Sequence, residues 1–150
     1  MDAKSVIKGR LRAWRAAFPV AHAVSVPGRR DIVDSDFVHI RGGPAVMQLH
    51  TVNIKQCSRV TDVAFVHLRG IYTLNMGGCK QTTITDTAFV YLRGIQELFM
   101  SGCNQATITD AAFVHLCGIH SLNMARWNQV TITDAAFVHL SGIHTLDMST

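Results

Sequence analysis

The residues of this chain best equipped for chemistry are its 8 histidines and 4 cysteines. Imidazoles and thiolates hold zinc or act as bases and nucleophiles. Either role demands convergence: structural zinc takes about four ligands around one point, and a nucleophilic thiol needs a base within hydrogen-bond reach. The spacing points elsewhere. His39, His67, His115 and His139 occupy one position of a recurring segment, with Tyr91 completing the series. His22, His50, His120 and His144 occupy a second, with Tyr72 and Gln96 completing it. Cys57, Cys79 and Cys103 share a third, and Cys117 stands where other copies carry Arg69 and Arg93. Residues multiplied by copying form rows rather than clusters. The expectation is reduced structural thiols, no metal site, no cofactor and no catalytic residue. A row of stacked imidazoles can still sense pH, because protonated neighbours repel. Gly77-Gly78 lacks the Lys-Ser/Thr and the glycine spacing of a phosphate loop.

The copies follow a fixed period. The segment from Ile71 to Gly94 returns from Ile95 and again from Ile119, so that Asp86, Asp110 and Asp134 lie 24 residues apart, as do Gly70, Gly94, Gly118 and Gly142. Upstream, Asp34-Ser-Asp-Phe-Val-His-Ile-Arg-Gly42 matches Asp62-Val-Ala-Phe-Val-His-Leu-Arg-Gly70 at a spacing of 28, and Val24-Ser-Val26 matches Val52-Asn-Ile54. The extra residues of that early unit lie in Gly43-Pro-Ala-Val-Met-Gln48, while later units carry two more residues between the Cys and the Thr-Asp pair. Such a period marks a solenoid whose units touch only their neighbours. It gives six strand copies and five helical copies over residues 22–150.

Each unit combines two periodicities. Leu74-Asn-Met76, Leu98-Phe-Met100, Leu122-Asn-Met124 and Leu146-Asp-Met148 alternate as short strands with one buried face. Thr-Asp then precedes Ala-Phe-Val-His-Leu, in which Ala64, Phe65 and Leu68 share a helical face. Asp62, Asp86, Asp110 and Asp134 suit a helix N-terminus, and Thr61, Thr85, Thr109 and Thr133 suit it as well. The repeated glycines fit the left-handed position that ends a helix. One strand and one short helix cannot bury their apolar faces alone, so the units must stack. The predicted fold is an α/β solenoid with parallel strands on the concave face and short helices on the convex face.

The pattern Ile71-x-x-Leu74-x-Met76-x-x-Cys79 resembles the leucine-rich repeat signature. With Ile/Val-Thr-Asp following the Cys, it is most similar to the cysteine-containing subtype found in the substrate-binding halves of F-box proteins. Arg29 and Trp127 replace the Cys in two copies. The resemblance implies a protein partner, and in one concrete version substrate recognition for a ubiquitin ligase.

Net charge is +4, and Lys4, Lys8, Arg10, Arg12, Arg15, Arg29 and Arg30 supply half of the 14 basic residues. The near-neutral solenoid predicts no nucleic-acid partner, and no apolar run is long enough for a membrane span. The absence of Asn-x-Ser/Thr and of a disulfide pattern leads to the expectation of an intracellular, cytoplasmic protein. Residues 1–21 read as a separate amphipathic segment: Ile7, Leu11, Trp14 and Phe18 form a stripe, with Lys8, Arg12 and Arg15 away from it. It suits a cap over the first strand. It also weakly resembles the tail of an F-box, and a basic mitochondrial presequence is a third reading.

The candidate binding face is the set of strand positions pointing away from the core. Asn53, Asn75, Phe99, Asn123 and Asp147 lie in its central row, with Glu97, Lys55 and Arg126 flanking. Phe99 breaks a polar row and suggests an anchor for a protein partner. Because the repeats stop at Leu146-Asp-Met-Ser-Thr150 without a cap, the last unit is expected to self-associate or to serve a modular repeat array.

Overall fold

The computed structural model describes residues 11–40 and 49–150. Its strands are β1 (Ala23–Ser25), β2 (Thr51–Asn53), β3 (Thr73–Asn75), β4 (Glu97–Phe99), β5 (Ser121–Asn123) and β6 (Thr145–Asp147). They form one parallel sheet in sequential order. The register aligns Val24, Val52, Leu74, Leu98, Leu122 and Leu146 in a single line across it. Behind the strands lie α2 (Asp34–Phe37), α3 (Asp62–Phe65), α4 (Asp86–Phe89), α5 (Asp110–Phe113) and α6 (Asp134–Phe137), and each of the last four runs on into a short 3-10 helix. This is the α/β solenoid that the repeat predicts. Gly42 and the lengthening segment Gly43–Gln48 lie outside the described residues, as do Ile7 and Lys8.

The core is a set of columns rather than a centre. Phe37, Phe65, Phe89 and Phe113 are fully buried, and so are Ile54, Met76, Met100, Leu68 and Ile84. Each column position fills the gap between two units, which no unit closes alone. At the helix-end position Gly70, Gly94, Gly118 and Gly142 adopt φ of 79°, 84°, 80° and 83°, where a side chain would be strained.

Two residue types hold one unit to the next. Thr61, Thr85, Thr109 and Thr133 are the helix N-caps, each accepting the N–H two residues on. The aspartates do not cap. Asp62 instead reaches forward to the following unit, accepting Thr85 N–H at 2.8 Å and Thr85 Oγ1–H at 2.7 Å. Asp34 to Thr61, Asp86 to Thr109 and Asp110 to Thr133 repeat the pattern. The first unit, lacking the Thr, uses Asp36 to accept Val33 N–H at 3.0 Å.

The thiols work the other way along the chain. Cys57 donates to Val26 O at 3.1 Å, Cys79 to Ile54 O at 3.3 Å and Cys103 to Met76 O at 3.1 Å. Trp127, in the same register, donates its indole N–H to Met100 O at 2.7 Å. What the position requires is a donor for the strand-end carbonyl of the unit before, and an indole serves as well as a thiol. Gln81 Nε2 bonds Cys57 O and Val60 O, both at 2.8 Å, tying the two-residue insertion of its own unit to the unit before.

Within α1 (Leu11–Ala17), Leu11 and Trp14 join the same buried cluster as the repeats. Two expectations fail here. Phe18 is 44% exposed, and Arg15, placed outside the stripe, is only 5% exposed. Arg15 folds over the Trp14 ring at 5.7 Å and donates to Ala21 O at 2.8 Å. Its stem covers apolar surface while its head satisfies a carbonyl next to the first strand. Burial lowers its pKa from the ordinary arginine value. No described helix is long and apolar enough to cross a membrane.

Candidate interaction face

Because side chains alternate along each strand, the middle residue of β1 to β5 enters the core and its two neighbours face out. Thr51, Asn53, Thr73, Asn75, Glu97, Phe99, Ser121 and Asn123 are accordingly half-buried, flanking buried Val52, Leu74, Leu98 and Leu122. The outer face is a shallow carpet of small polar groups interrupted by Phe99, which lies outside the buried cluster.

The asparagines of this face have a local task that their exposure conceals. Asn53 Oδ1 accepts Lys55 N–H at 3.0 Å, Asn75 Oδ1 accepts Gly77 N–H at 3.1 Å and Asn123 Oδ1 accepts Ala125 N–H at 3.2 Å. Asp147 repeats the bond to Ser149 N–H at 3.0 Å. Each side chain pins the turn that follows its strand. Asn123 also donates to Asp147 Oδ2 at 2.7 Å, and those bonds hold the Asp147 pKa below the usual carboxylate value, the Ser149 N–H first among them. Phe99 is the one member of the row in β2–β6 without an oxygen to offer its turn.

Past the strands the chain makes a tight turn whose second residue is left-handed. That residue is Gln56 (φ 59°), Gly78 (70°), Gly102 (66°) or Arg126 (61°). Glycine adopts this conformation freely, whereas Gln56 and Arg126 hold it at a cost of about 1 kcal/mol each. Gly77, Gly78 and Gly102 leave two adjacent turns almost without side chains, and the larger turns on either side become walls. The result is a groove of about 420 Å³ at the ends of the strands, with Phe99 on its strand side and Lys55, Lys80 and Arg126 around it. All three cations are exposed, and none has a side-chain hydrogen bond or ion pair among the described residues.

Of the residues that the sequence nominates, Lys55, Asn75, Phe99, Asn123 and Arg126 thus line one groove. Asn53, Glu97 and Asp147 stand outside it, Glu97 accepting Thr73 Oγ1–H at 3.0 Å. Sequence reasoning missed Lys80 and Asn104, which the turns fold back onto the groove. The signal available was the pair of glycine turns between Gln56 and Arg126.

A second depression, about 330 Å³, lies among the 3-10 helices and is lined by Arg69, Tyr91 and Arg93. Here the cations are engaged: Arg69 sits 4.9 Å over the Tyr91 ring, and Arg93 Nε donates to His115 Nδ1 at 3.2 Å. In this row His67, His115 and His139 are half-buried, while His39 is exposed. Burial, then Arg93, lowers the His115 pKa from its ordinary value. In the other row His120 and His144 stack at 4.1 Å, and His50 stacks on Tyr72 at 4.5 Å. Among the described residues no three metal-binding side chains converge. Burial pushes the Cys79 thiol up to about 12 and the Cys103 thiol to about 11.

No family model matches the chain, and no curated protein does. Solved structures do. The chain is similar to the TLR13–ssRNA13 complex structure with a TM-score of 0.70 and 21% identity, over 92% of this chain and 19% of that one. It is similar to the yeast Rad7 and Elc1 complex structure with a TM-score of 0.61 and 16% identity, over 82% of this chain and 31% of that one. The chain therefore spans less than a third of either relative's length. Both neighbours are leucine-rich repeat proteins, and at these identities they establish the fold: this chain is a leucine-rich repeat solenoid.

Proposed function

We propose that this chain is a protein–protein interaction module that receives its partner on the concave strand face, with Phe99 as the anchor. The observation that carries the reading is Phe99 itself. It is an aromatic outside the core, in a row otherwise built from turn-pinning Asn and Asp, at the edge of a groove of about 420 Å³ on this face. Buried aromatic anchors ringed by near-neutral polar contacts dominate interface energetics. The cysteine register and the Thr-Asp that follows it favour the narrower version, in which the module selects substrates for a ubiquitin ligase in the cytoplasm. The Rad7 neighbour is itself described in a complex with a second protein, Elc1. The role is non-catalytic: the interior thiols lack a thiolate-favouring setting.

The test is quantitative affinity capture with the intact chain and with Phe99→Ala. The variant keeps its melting temperature and loses the captured partner by at least about tenfold. Unchanged capture by Phe99→Ala removes the reading. A fall in melting temperature instead places Phe99 in the core.

One observation favours a second reading, self-association or array stacking through β6. Among the described residues its outer edge pairs with no strand, Leu146 and Met148 are 39% and 52% exposed, and Asp134 has no Thr to bond. Light scattering after size exclusion separates the two: association that rises with concentration supports it, and a constant monomer mass ends it.

A further inference from the structure

We propose that the groove beside Phe99 is an acidic-peptide site, taking a carboxylate side chain between Lys55, Lys80 and Arg126 while a neighbouring apolar side chain rests on Phe99. The inference rests on the concave-face reading and names the chemistry of the partner. Three observations carry it. The first is shape: Gly77, Gly78 and Gly102 clear the floor, and the resulting volume of about 420 Å³ falls within the ordinary range of ligand pockets. The second is charge. Three cations and no acid line the groove, and none of the three side chains is bonded to another described residue. In the depression at Tyr91, by contrast, Arg69 and Arg93 are occupied with Tyr91 and His115. Cations left with no partner around a concave surface draw an anionic ligand in and fix its register. The third is the backbone at Arg126. It holds φ 61° in a register where Gly28, Gly78 and Gly102 stand in three other units and Gln56, also lining the groove, stands in a fourth. The conformation favours glycine, so placing a guanidinium there carries a conformational cost that a binding role accounts for.

The anion is a peptide carboxylate rather than a nucleic-acid backbone. Outside the groove the same face carries Glu97 and Asp147 among Ser, Thr and Asn, so a phosphate chain crossing the sheet meets repulsion on both flanks. Phe99 is also alone among the strand residues as an aromatic, where a single-strand platform uses successive rings.

The experiment is a two-dimensional amide NMR titration of the 150-residue chain with a glutamate peptide of about ten residues carrying one central leucine, at about 50 mM salt. Shifts are expected at Gly77, Gly78 and Gly102, with affinity falling several-fold by about 200 mM salt. Replacing the glutamates by glutamines abolishes binding. Lys55→Ala with Lys80→Ala weakens it by at least about tenfold, and Arg126→Gly weakens it without loss of melting temperature. Phe99→Ala weakens it as well. No shift at about 1 mM peptide, equal binding of the glutamine peptide, or shifts elsewhere overturns the proposal. Tighter binding of a single-stranded oligouridine through the same cations overturns it in favour of a nucleic acid. If Phe99→Ala loses the captured partner while the charge variants retain it, the concave-face reading stands and this one fails.

Discussion

The unit of β5 and the unit of β6 are close copies, yet the fold treats them differently. Leu122 is fully buried and Leu146 is 39% exposed; Met124 is 2% exposed and Met148 52%. Phe113 is sealed, whereas Phe137, packed edge-on to it at 6.4 Å, is only partly covered. Asp110 bonds Thr133 of the next unit, and Asp134 bonds no such residue among those described. The local chain is the same in both: Thr109 and Thr133 cap α5 and α6 alike, with the same 3-10 continuation. Local sequence therefore builds the unit, and the seam between units supplies the burial. Stability in this chain is a property of pairs of neighbours.

The sharpest way to break that comparison is to make one substitution in both units. Leu122→Ala empties a sealed column position and should cost about 2–5 kcal/mol in urea-induced unfolding. Leu146→Ala removes a side chain already 39% exposed and should cost under about 1 kcal/mol. Equal losses would mean that β6 is covered in solution, which would favour the self-association reading.

The second comparison is polar. Asp86→Ala strips Thr109 of the acceptor for both its N–H and its hydroxyl, at 2.7 Å each. Bonds to a carboxylate in a part-buried seam are worth about 1.5–3 kcal/mol when removed, so a loss of about 2 kcal/mol is expected. Asp134→Ala should stay within about 0.5 kcal/mol, the usual range for an exposed side chain with no partner. If instead both variants lose helix stability alike, the aspartates act on their own helices through the dipole, as the sequence alone allowed.

That alternative shows where sequence reading stopped. The period, the core columns, the six strands and the five repeat helices follow from alternation and spacing, because apolar residues at a fixed register have one way to be covered. Thr versus Asp at the cap did not follow. Both residues are competent caps, and only the distance from Asp62 to Thr85 in the next unit assigns them. The asparagine row was legible as an exposed face but not as turn-pinning, since Asn53 and Lys55 stand two residues apart in an extended strand reading and the Asn53 oxygen meets the Lys55 N–H only once the chain bends. Arg15 was placed on a solvent face by helical geometry, which knows nothing of the Trp14 ring and Ala21 carbonyl that receive it. For the groove, the strand residues Phe99, Asn75 and Asn123 were visible. Lys80 was not, because the turn after the glycines, rather than any periodicity, returns it to the face.

The smallest expected effect concerns pH, and it probes the same seam. His115 is paired across units with Arg93, and His120 stacks across units on His144. Burial, then Arg93, lowers the His115 pKa from 6.5. A histidine held neutral by the fold contributes stability that is present above its unfolded pKa, and that stability is lost as pH falls toward the folded value, because the unfolded chain takes the proton first. Asp110, lowered from 3.8 by the Thr133 hydroxyl and N–H, adds a second loss at more acid pH, again as pH falls through its folded value. The Asp110 loss falls at more acid pH than this window, so His115 alone should lower the melting temperature by only a few degrees between about pH 7.5 and about 5.5. NMR of the His115 ring should place its titration below 6.5, and Arg93→Gln should move it up. A melting temperature unchanged over that range, with His115 titrating at its ordinary value, would mean that the imidazoles sit on the seam without feeling it.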